Sequence, residues 1–295
     1  MRRSAPFRTV CSPRSACRTC SDHGGLRLSP PFGTPFKNFA NPANEQEQGK
    51  IMKIGIIGAG MVGANLARIL AKAGHDVKLA NSKGPETLKG IVDGTAIAAV
   101  TRDEAVKDVE VIILSVPFDR NPELAPVLAA VPAGVIVVDT SNYYPMRDGM
   151  IKEVQEGKLE TVWASEQIGK PLVKAWNALL SFTLADCGAK RGAASRLAIP
   201  IAGDDAAAKA VVSGLVNDTG FDVVDAGPLS DSWRFQPGSP AYCTELDAAG
   251  LTKALSSVDK TRLPHNLELI TQGIVDGSVA FEREAMVASI RKITS

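Results

Sequence analysis

Residues 53–63 read KIGIIGAGMVG, and this stretch decides how the chain folds. A short apolar strand runs into the glycines Gly58, Gly60 and Gly63, and an Ala-rich amphipathic helix follows. This spacing is typical of dinucleotide-binding turns, in which the first glycine allows the tight turn, the second lets the backbone approach a pyrophosphate, and the third lets the helix pack on the strand. The phosphates would bind the free N–H groups of the helix N-terminus. The alternative is a structural turn that binds nothing.

The next predicted strand, residues 76–80, ends in Asn81, Ser82 and Lys83. NAD-specific sites place an Asp or Glu about twenty residues past the glycines, on the ribose 2′-hydroxyl. No acid lies between Val77 and Pro85. An amide, a hydroxyl and an ammonium suit a 2′-phosphate, so the sequence predicts NADP rather than NAD. The alternative is an ordinary solvent-exposed turn.

The first fifty residues differ from the rest in charge. They carry 8 Lys or Arg against 3 acids, a net of +5, whereas residues 51–295 carry 25 against 29, a net of −4. Rich in Pro, Ser and Arg and without periodicity, residues 1–51 are predicted to be disordered. We interpret them as an upstream extension from a misassigned start codon, because the fold begins abruptly at Met52; an organellar transit peptide is the alternative. Cys17-x-x-Cys20 lacks a second ligand pair, so we predict no metal site.

The composition of the remaining chain excludes several classes of function. It is mildly acidic and has no basic stripe, which argues against a nucleic-acid partner. No apolar run reaches the length of a membrane span, so no membrane partner is expected. Outside the first fifty residues only Cys187 and Cys243 remain, which is typical of a cytoplasmic protein with reduced thiols and not of a disulfide framework. The location would be organellar if residues 1–51 are a transit peptide.

Strands and helices alternate along the chain. Strands are predicted at residues 96–100, 109–116, 135–139, 172–176, 197–202 and 221–225, and helices at residues 85–93, 122–130 and 204–219. This alternation predicts an α/β fold with a doubly wound parallel sheet. We expect the sheet to include the last two strands, within a dinucleotide-binding domain over residues 52–228. Residues 229–295 are predicted to form a small helical C-terminal region.

Polar residues follow two neighbouring strands of the predicted sheet. One strand ends in the segment Ser115-Val116-Pro117, with Ser115 as its polar residue, and the next is followed by Ser141 and Asn142. Ligands of such sheets bind at the carboxyl ends of the strands, so both exits should open into the crevice that holds the glycine loop. We therefore expect them to line the cofactor site.

Seven segments together resemble one family of NADPH-dependent oxidoreductases. They are MKIGIIGAGMVG, LANSKGPETL, LSVPF, DTSNYY, LVKAWNALL, AGDDAAAK and TGFDVVDAGPL, and they extend from about residue 52 to 229. The best-known branch of this family is the coenzyme F420 reductases, and the ferrireductase domains of metalloreductases also belong to it. The resemblance implies a Rossmann-type NADP domain with direct hydride transfer from the nicotinamide to a flavin or deazaflavin ring.

The resemblance also implies a set of cofactor-lining residues. They are Gly60, Met61, Val62, Ser82, Lys83, Val116, Pro117, Asn142 and Asn177, which join Gly58, Gly63, Asn81 and Ser115 from the reasoning above. F420-reducing members carry His where this chain has Asn177, and the KAWN form is closer to the ferrireductase branch. The electron acceptor therefore stays open between F420, a flavin and a ferric chelate.

The sequence offers no obvious catalytic side chain. A 2-hydroxyacid dehydrogenase needs an acid-base histidine, and neither His75 nor His265 follows a suitable strand. Hydride exchange between two cofactor rings needs no such group, because the cofactors carry the chemistry. One alternative is a β-hydroxyacid dehydrogenase, for whose helical lysine the candidates are Lys170, Lys174 and Lys190; Lys170 precedes Pro171 and Lys174 lies in a strand-like segment, so neither of these two suits the role. The other is a non-catalytic NADPH sensor.

The C-terminal region is predicted to close the acceptor side of the site and to form a homodimer. Its segment 232–238, SWRFQPG, offers Trp233, Arg234 and Phe235 beside a turn, which suits the covering of a planar ring or a partner subunit. The alternative is that the two aromatic side chains anchor the helices to the core.

Overall fold

The structure, a computed structural model, describes residues 50–295. The predicted disorder of the N-terminal segment and its Cys17-x-x-Cys20 motif lie outside this range. The strands are β1 (Lys53–Ile57), β2 (Asp76–Ala80), β3 (Ala98–Ala99), β4 (Val111–Leu114), β5 (Ile136–Asp139), β6 (Leu172–Lys174), β7 (Ala198–Ile201) and β8 (Asp222–Asp225). The α-helices are α1 (Met61–Lys72), α2 (Lys89–Val92), α3 (Arg102–Ala105), α4 (Ala125–Ala129), α5 (Pro145–Asp148), α6 (Lys152–Gln155), α7 (Glu160–Ile168), α8 (Ser181–Asp186), α9 (Ala206–Asp218), α10 (Ala248–Ser256), α11 (Leu263–Val275) and α12 (Arg283–Thr294). Short 3-10 helices span Pro85–Leu88, Phe118–Leu124, Leu229–Phe235 and Lys260–Arg262.

The central sheet has six parallel strands in the order β3-β2-β1-β4-β5-β6. This is the strand order of a dinucleotide-binding Rossmann fold, so the predicted α/β fold class with a doubly wound parallel sheet is confirmed. Since all six strands run the same way, their carboxyl ends meet at one edge of the sheet. The polar strand exits predicted from the sequence therefore share that edge.

Apolar side chains cover both faces of the sheet, because successive side chains of β4 point to opposite faces. Ile113 packs on one face with Leu66 of α1. Ile112 and Leu114 pack on the other face with Trp163 of α7. Each strand side chain is fully buried, and burying one such side chain contributes about 1.5–3 kcal/mol. Helices thus lie on both sides and leave the carboxyl edge open.

The last two predicted strands do not extend the central sheet, contrary to expectation. β7 and β8 form a separate two-stranded parallel sheet, which meets β6 through one antiparallel bridge between Lys174 and Ala202. The N–H groups of Ala198 and Ala202 point away from β8, to the carbonyl oxygens of Leu246 and Lys174. Pro200 lies between them on the same edge and has no N–H, so this edge cannot carry a continuous ladder.

Several predicted elements are shorter than expected. The predicted strands 96–100 and 109–116 shrink to β3 and β4, and the predicted helices 85–93 and 122–130 form as 3-10 turns followed by short α-helices. Pro117 lies between β4 and the 3-10 helix Phe118–Leu124. Pro122 lies inside that helix and has no backbone N–H to donate. The helix at 204–219 agrees, as α9 begins after Asp205, whose carboxylate accepts from the N–H groups of Ala207 and Ala208.

The C-terminal region is helical, as predicted, and has its own apolar cluster. Phe235, Tyr242, Leu251, Ile270 and Ile290 belong to this cluster, which joins α10, α11 and α12. The boundary at residue 228 stays a prediction, since α10 also packs against β7 and β8. Among residues 50–295, no helix combines the length and the apolar character needed to cross a bilayer.

Candidate functional site

The three glycines of the loop between β1 and α1 meet three different surroundings. Gly58 has a φ of +110°, and a Cβ there would lie 2.1 Å from the carbonyl oxygen of Ser115. A Cβ at Gly63 would lie 2.0 Å from the carbonyl oxygen of Gly58. At Gly60, in contrast, a Cβ would meet no atom of the described residues within 4 Å. The fold itself therefore requires Gly58 and Gly63, whereas Gly60 leaves open space beside the backbone.

That open space lies at the N-terminus of α1. Gly60 is the N-cap residue and offers no side chain, and the first turn of the helix contains no acid. The first N–H groups of any helix have no partner within the helix, and the helix dipole favours an anion there. This arrangement fits a pyrophosphate, which would bind the N–H groups of the first turn next to Gly60.

A first cavity, the outer cavity, extends from the glycine loop to the end of β2 and has a volume of about 630 Å³. Its lining includes Gly58, Gly60, Asn81, Ser82, Lys83, Ser115, Val116 and Pro117, all of which the sequence singled out. The amide of Asn81 serves the turn itself, because its Oδ1 accepts from the N–H of Lys83 at 2.9 Å and its Nδ2 donates to Oγ1 of Thr87 at 2.8 Å. The side chains of Ser82 and Lys83 are exposed.

The sequence reasoning missed two arginines of the outer cavity. Arg102 and Arg120 both line it. Arg120 pairs with Asp119 at 3.2 Å and with Glu123 at 2.7 Å, whereas Arg102 has no ion-pair partner within residues 50–295. The signal that could have found Arg102 is its position just after β3, the strand next to β2. Together with Lys83, Arg102 makes this end of the crevice positive.

A second cavity, the inner cavity, begins at the same glycine loop and extends to the C-terminal helices, with a volume of about 750 Å³. It shares Gly60, Ser115, Val116 and Pro117 with the outer cavity, so the two form one crevice along the carboxyl ends of the strands. Met61, Val62, Asn142 and Asn177 also line it. Of the predicted site residues only Gly63 lines neither cavity, because it is packed against Gly58.

Asn142 and Asn177 join the exits of β5 and β6. Asn142 Nδ2 donates to the carbonyl oxygen of Asn177 at 2.9 Å, and Asn177 Nδ2 donates to Asn142 Oδ1 at 3.1 Å and to the carbonyl oxygen of Phe235 at 3.2 Å. Trp176 has a φ of +56°, an unusual value that orients the exit of β6. Asn177 Oδ1 is buried and has no hydrogen-bond partner among the described residues. The pair thus fixes the wall of the inner cavity.

Behind this wall lies a buried ion pair that the sequence reasoning did not find. Lys174 Nζ donates to Asp139 Oδ2 at 2.6 Å and also to the carbonyl oxygen of Ser141. Asp139 Oδ1 accepts from both the N–H and the hydroxyl of Ser141, at 2.9 and 2.7 Å. Both charged side chains are buried, so the pair holds the loop at residues 140–142 in place. An acid and a lysine at the ends of two otherwise apolar strands were its signal in the sequence.

A third ionisable group, Glu160, starts α7 next to this pair. Burial raises the pKa of Glu160 to about 7, while Lys174 acts in the opposite direction. Asp139 and Asp148 raise it further. The backbone N–H of Tyr143 donates to Glu160 Oε2 at 3.4 Å, a long hydrogen bond that compensates little of the burial. Behind the exits of β5 and β6 the protein therefore buries one charge pair and one carboxyl group that is half protonated near neutral pH.

The described residues contain no cluster of three or more His, Cys, Asp or Glu side chains that could hold a metal ion. The inner cavity is lined within this part of the chain by neither a histidine nor a lysine. Its ionisable side chains are Tyr144, Arg147 and Tyr242. The lining is mostly apolar, with Leu180 and Phe182 among its members. Its size and character suit planar rings rather than a small charged substrate.

Comparison with known proteins agrees with this geometry. A profile of the family described as NADP oxidoreductase, coenzyme F420-dependent, matches residues 53–143. Protein SMa0349 of Sinorhizobium meliloti has 31% identity and a TM-score of 0.54, over 62% of this chain and 88% of its own. A structure from Arthrobacter sp. FB24, provisionally named an F420-dependent NADP reductase, has 21% identity and a TM-score of 0.52, over 77% of this chain and 95% of its own, and bears on the fold.

One curated relative covers a shorter stretch. The Escherichia coli (strain K12) protein YjhV is 46% identical over 77 residues, which are 25% of this chain. The matched stretch spans 56% of the length of YjhV. The likeness therefore concerns about half of that protein.

Proposed function

Because this chain belongs to the family of coenzyme F420-dependent NADP oxidoreductases, we propose that it transfers a hydride between NADPH and a flavin or deazaflavin. Membership makes it an NAD(P)-dependent oxidoreductase. When bound, NADPH supplies from its C4 one hydrogen with two electrons, so that it is oxidised to NADP⁺ while the acceptor is reduced. The observation that carries the proposal is the continuous crevice, which is positive at one end and mostly apolar at the other.

The preference for NADP rests on the outer cavity. Lys83 and Arg102 supply two cations near the end of β2, and Ser82 adds a hydroxyl. A 2′-phosphate is recognised by charge-assisted hydrogen bonds from such groups, and an unphosphorylated ribose gains nothing from them. The predicted site residues are accordingly assigned to NADP, with Asn81 shaping the turn rather than binding directly.

The acceptor is proposed from the inner cavity. Its lining within the described residues offers Met61, Phe182 and Phe281 around the space beside Asn142 and Asn177. Hydride transfer between two rings requires stacking and the exclusion of water, and it needs no acid-base histidine. A β-hydroxyacid dehydrogenase would need a free lysine at the substrate, but Lys174 is bound to Asp139. That alternative gains no support from the site.

We further propose that a second copy of this chain covers the mouth of the inner cavity. Met61, Met146, Val275 and Phe281 are exposed at this mouth, with 52%, 71%, 68% and 58% of their surface accessible. Exposed apolar clusters of this kind mark interaction surfaces. A homodimer would exclude water from the acceptor, and light scattering would measure its mass.

The free thiols of Cys187 and Cys243 support a cytoplasmic location.

A screen of the purified protein tests the proposed function. NADPH oxidation is followed with FMN, FAD, coenzyme F420, ferric chelates and 3-oxo acids as acceptors. We expect turnover with at least one flavin or deazaflavin and none with the oxo acids. Turnover only with an oxo acid would instead identify a hydroxyacid dehydrogenase, and tight NADPH binding without any turnover would identify a sensor.

A further inference from the structure

Two tyrosines from distant parts of the chain meet in the wall of the inner cavity. Tyr144 follows the exit of β5, and Tyr242 precedes α10 in the C-terminal region. Their hydroxyl groups form a hydrogen bond with each other, and both residues line the inner cavity. Tyr242 is only 7% exposed. The part of the crevice assigned to the acceptor thus contains a pair of phenols shielded from bulk water.

The two hydroxyl groups together carry one hydrogen more than the hydrogen bond between them needs. Each hydroxyl carries a single hydrogen, and the bond between the two consumes one of them. Among residues 50–295 neither hydroxyl bonds a further oxygen or nitrogen; the Cys243 thiol beside Tyr242 is at best a weak partner. Burial raises the pKa of both phenols well above the usual value, so both keep their hydrogens at any physiological pH. One O–H is therefore free to donate to a ligand.

On the basis of the proposed function, we propose that the Tyr144–Tyr242 pair donates a hydrogen bond to the acceptor ring, at the pyrimidine carbonyl or nitrogen where negative charge develops. Flavins and deazaflavins share this pyrimidine, and the electron pair that arrives with the hydride delocalises onto it. A neutral, pre-positioned O–H in a dry site stabilises such charge without transferring its proton. The pair would then favour the reduced acceptor over the oxidised one.

A second role must be separated from this one. Tyr144 belongs to the Rossmann part and Tyr242 to the C-terminal region, so their hydrogen bond also holds these two parts together. A purely structural contact of this kind would change stability and nothing specific to the acceptor. The test therefore compares the affinities of the oxidised and the reduced acceptor, a ratio that a loss of stability alone does not change.

The experiment uses Tyr242→Phe and Tyr144→Phe, with Tyr143→Phe as the matched control. Tyr143 also has a largely buried phenol, which donates to the carbonyl oxygen of Gly149 at 2.8 Å, but it does not line the inner cavity. Without NADP⁺ or NADPH, so that no hydride can be transferred, oxidised and reduced FMN, and separately oxidised and reduced F420, are titrated anaerobically by calorimetry. A hydrogen bond to a charged group is worth about 1.5–3 kcal/mol, so the preference for the reduced acceptor should fall about tenfold or more in the variant that loses the donating hydroxyl, and less in the other. Affinity for NADPH should stay unchanged, and the control should keep the wild-type preference.

Two results overturn the assignment in distinguishable ways. If wild-type protein reduces an acceptor and the Tyr144 and Tyr242 variants keep its preference for the reduced form, the pair is only a structural contact. If wild-type protein passes no hydride to FMN, FAD or F420, the proposed function fails and this assignment fails with it. Thermal unfolding of all three variants shows whether a changed preference comes with the fold intact.

Discussion

The outer and inner cavities open on the same edge of the sheet but are built differently. The outer cavity takes its lining from residues 57–124, in the glycine loop and in the segments that follow β2, β3 and β4. The inner cavity takes its lining from segments spread between residues 60 and 290. The first is set by local backbone rules and the second by contacts between distant side chains. The difference teaches that the residues that bind the cofactor can be predicted from one sequence, whereas the residues around the acceptor cannot.

The largest expected effect comes from breaking the long-range ion pair behind the inner cavity. Lys174→Ala leaves the carboxylate of Asp139 buried without its partner. Loss of one member of a buried pair typically costs about 3–5 kcal/mol, so the free energy of unfolding in urea should fall by about that amount. The double variant Lys174→Met with Asp139→Leu removes both charges and should recover most of the loss. A single variant within 1 kcal/mol of the wild type, measured in the same way, would show that the pair does not hold the inner wall.

The next effect separates two glycines of the outer cavity. Gly58→Ala forces a Cβ to within 2.1 Å of the Ser115 carbonyl oxygen, at a φ of +110°. Strain and overpacking together should cost about 3 kcal/mol of unfolding free energy. Gly60→Ala adds the same methyl group where it meets no atom of the described residues, at a φ of −70° that alanine adopts freely. It should keep the wild-type stability and weaken NADPH binding about tenfold, because the methyl group takes space meant for the pyrophosphate.

Equal losses of stability in the two glycine variants would contradict this division. Thermal unfolding and NADPH fluorescence titration, run on both proteins, provide the comparison. If both variants lose the same stability, both glycines are required for folding, and Gly60 has no separate role in binding NADPH.

The same contrast explains what the sequence could predict. The doubly wound parallel sheet, the glycine loop and the exits at Ser115 and Asn142 follow from periodicity and from the rule that parallel strands end at one edge. The separation of β7 from the main sheet depends on which edge Pro200 presents, and that edge is fixed only once β7 has paired with β8. The Lys174–Asp139 pair and the Tyr144–Tyr242 contact join residues 35 and 98 positions apart. No local pattern specifies such partners.

A smaller effect, limited to binding, tests the positive end of the outer cavity. Lys83→Ala should weaken NADPH binding by about 1.5–3 kcal/mol, or about 10- to 100-fold, because a charge-assisted phosphate contact is lost. NADH lacks the phosphate and should bind the variant as it binds the wild type. Lys89→Ala is the matched control, since Lys89 is exposed on α2 and does not line the cavity. Equal affinities of the wild-type protein for NADPH and NADH would show that the turn does not select the 2′-phosphate.

The smallest expected effect is a pH dependence that arises from the buried Glu160, next to the Lys174–Asp139 pair. Burial raises the pKa of Glu160 from 4.5 to about 7 in the folded protein, so the folded state holds this proton more tightly than the unfolded state. Its stabilising contribution is complete below pH 4.5 and is lost as the pH rises through 7. Between pH 6 and pH 8 the free energy of unfolding should fall by about 1 kcal/mol from this group.

Glu160→Gln removes that titration and isolates it from every other group. The difference in unfolding free energy between this variant and the wild type should therefore grow by about 1 kcal/mol from pH 6 to pH 8, with the variant favoured at the higher pH. Glu166→Gln, on the exposed side of the same helix, is the control, and its difference from the wild type should stay flat. A flat difference for Glu160→Gln as well would mean that Lys174 keeps Glu160 ionised in the folded protein, so that burial does not raise its pKa. Asp139, Lys174 and Glu160 would then form a network of three charges rather than one ion pair beside a carboxyl group whose pKa burial has raised.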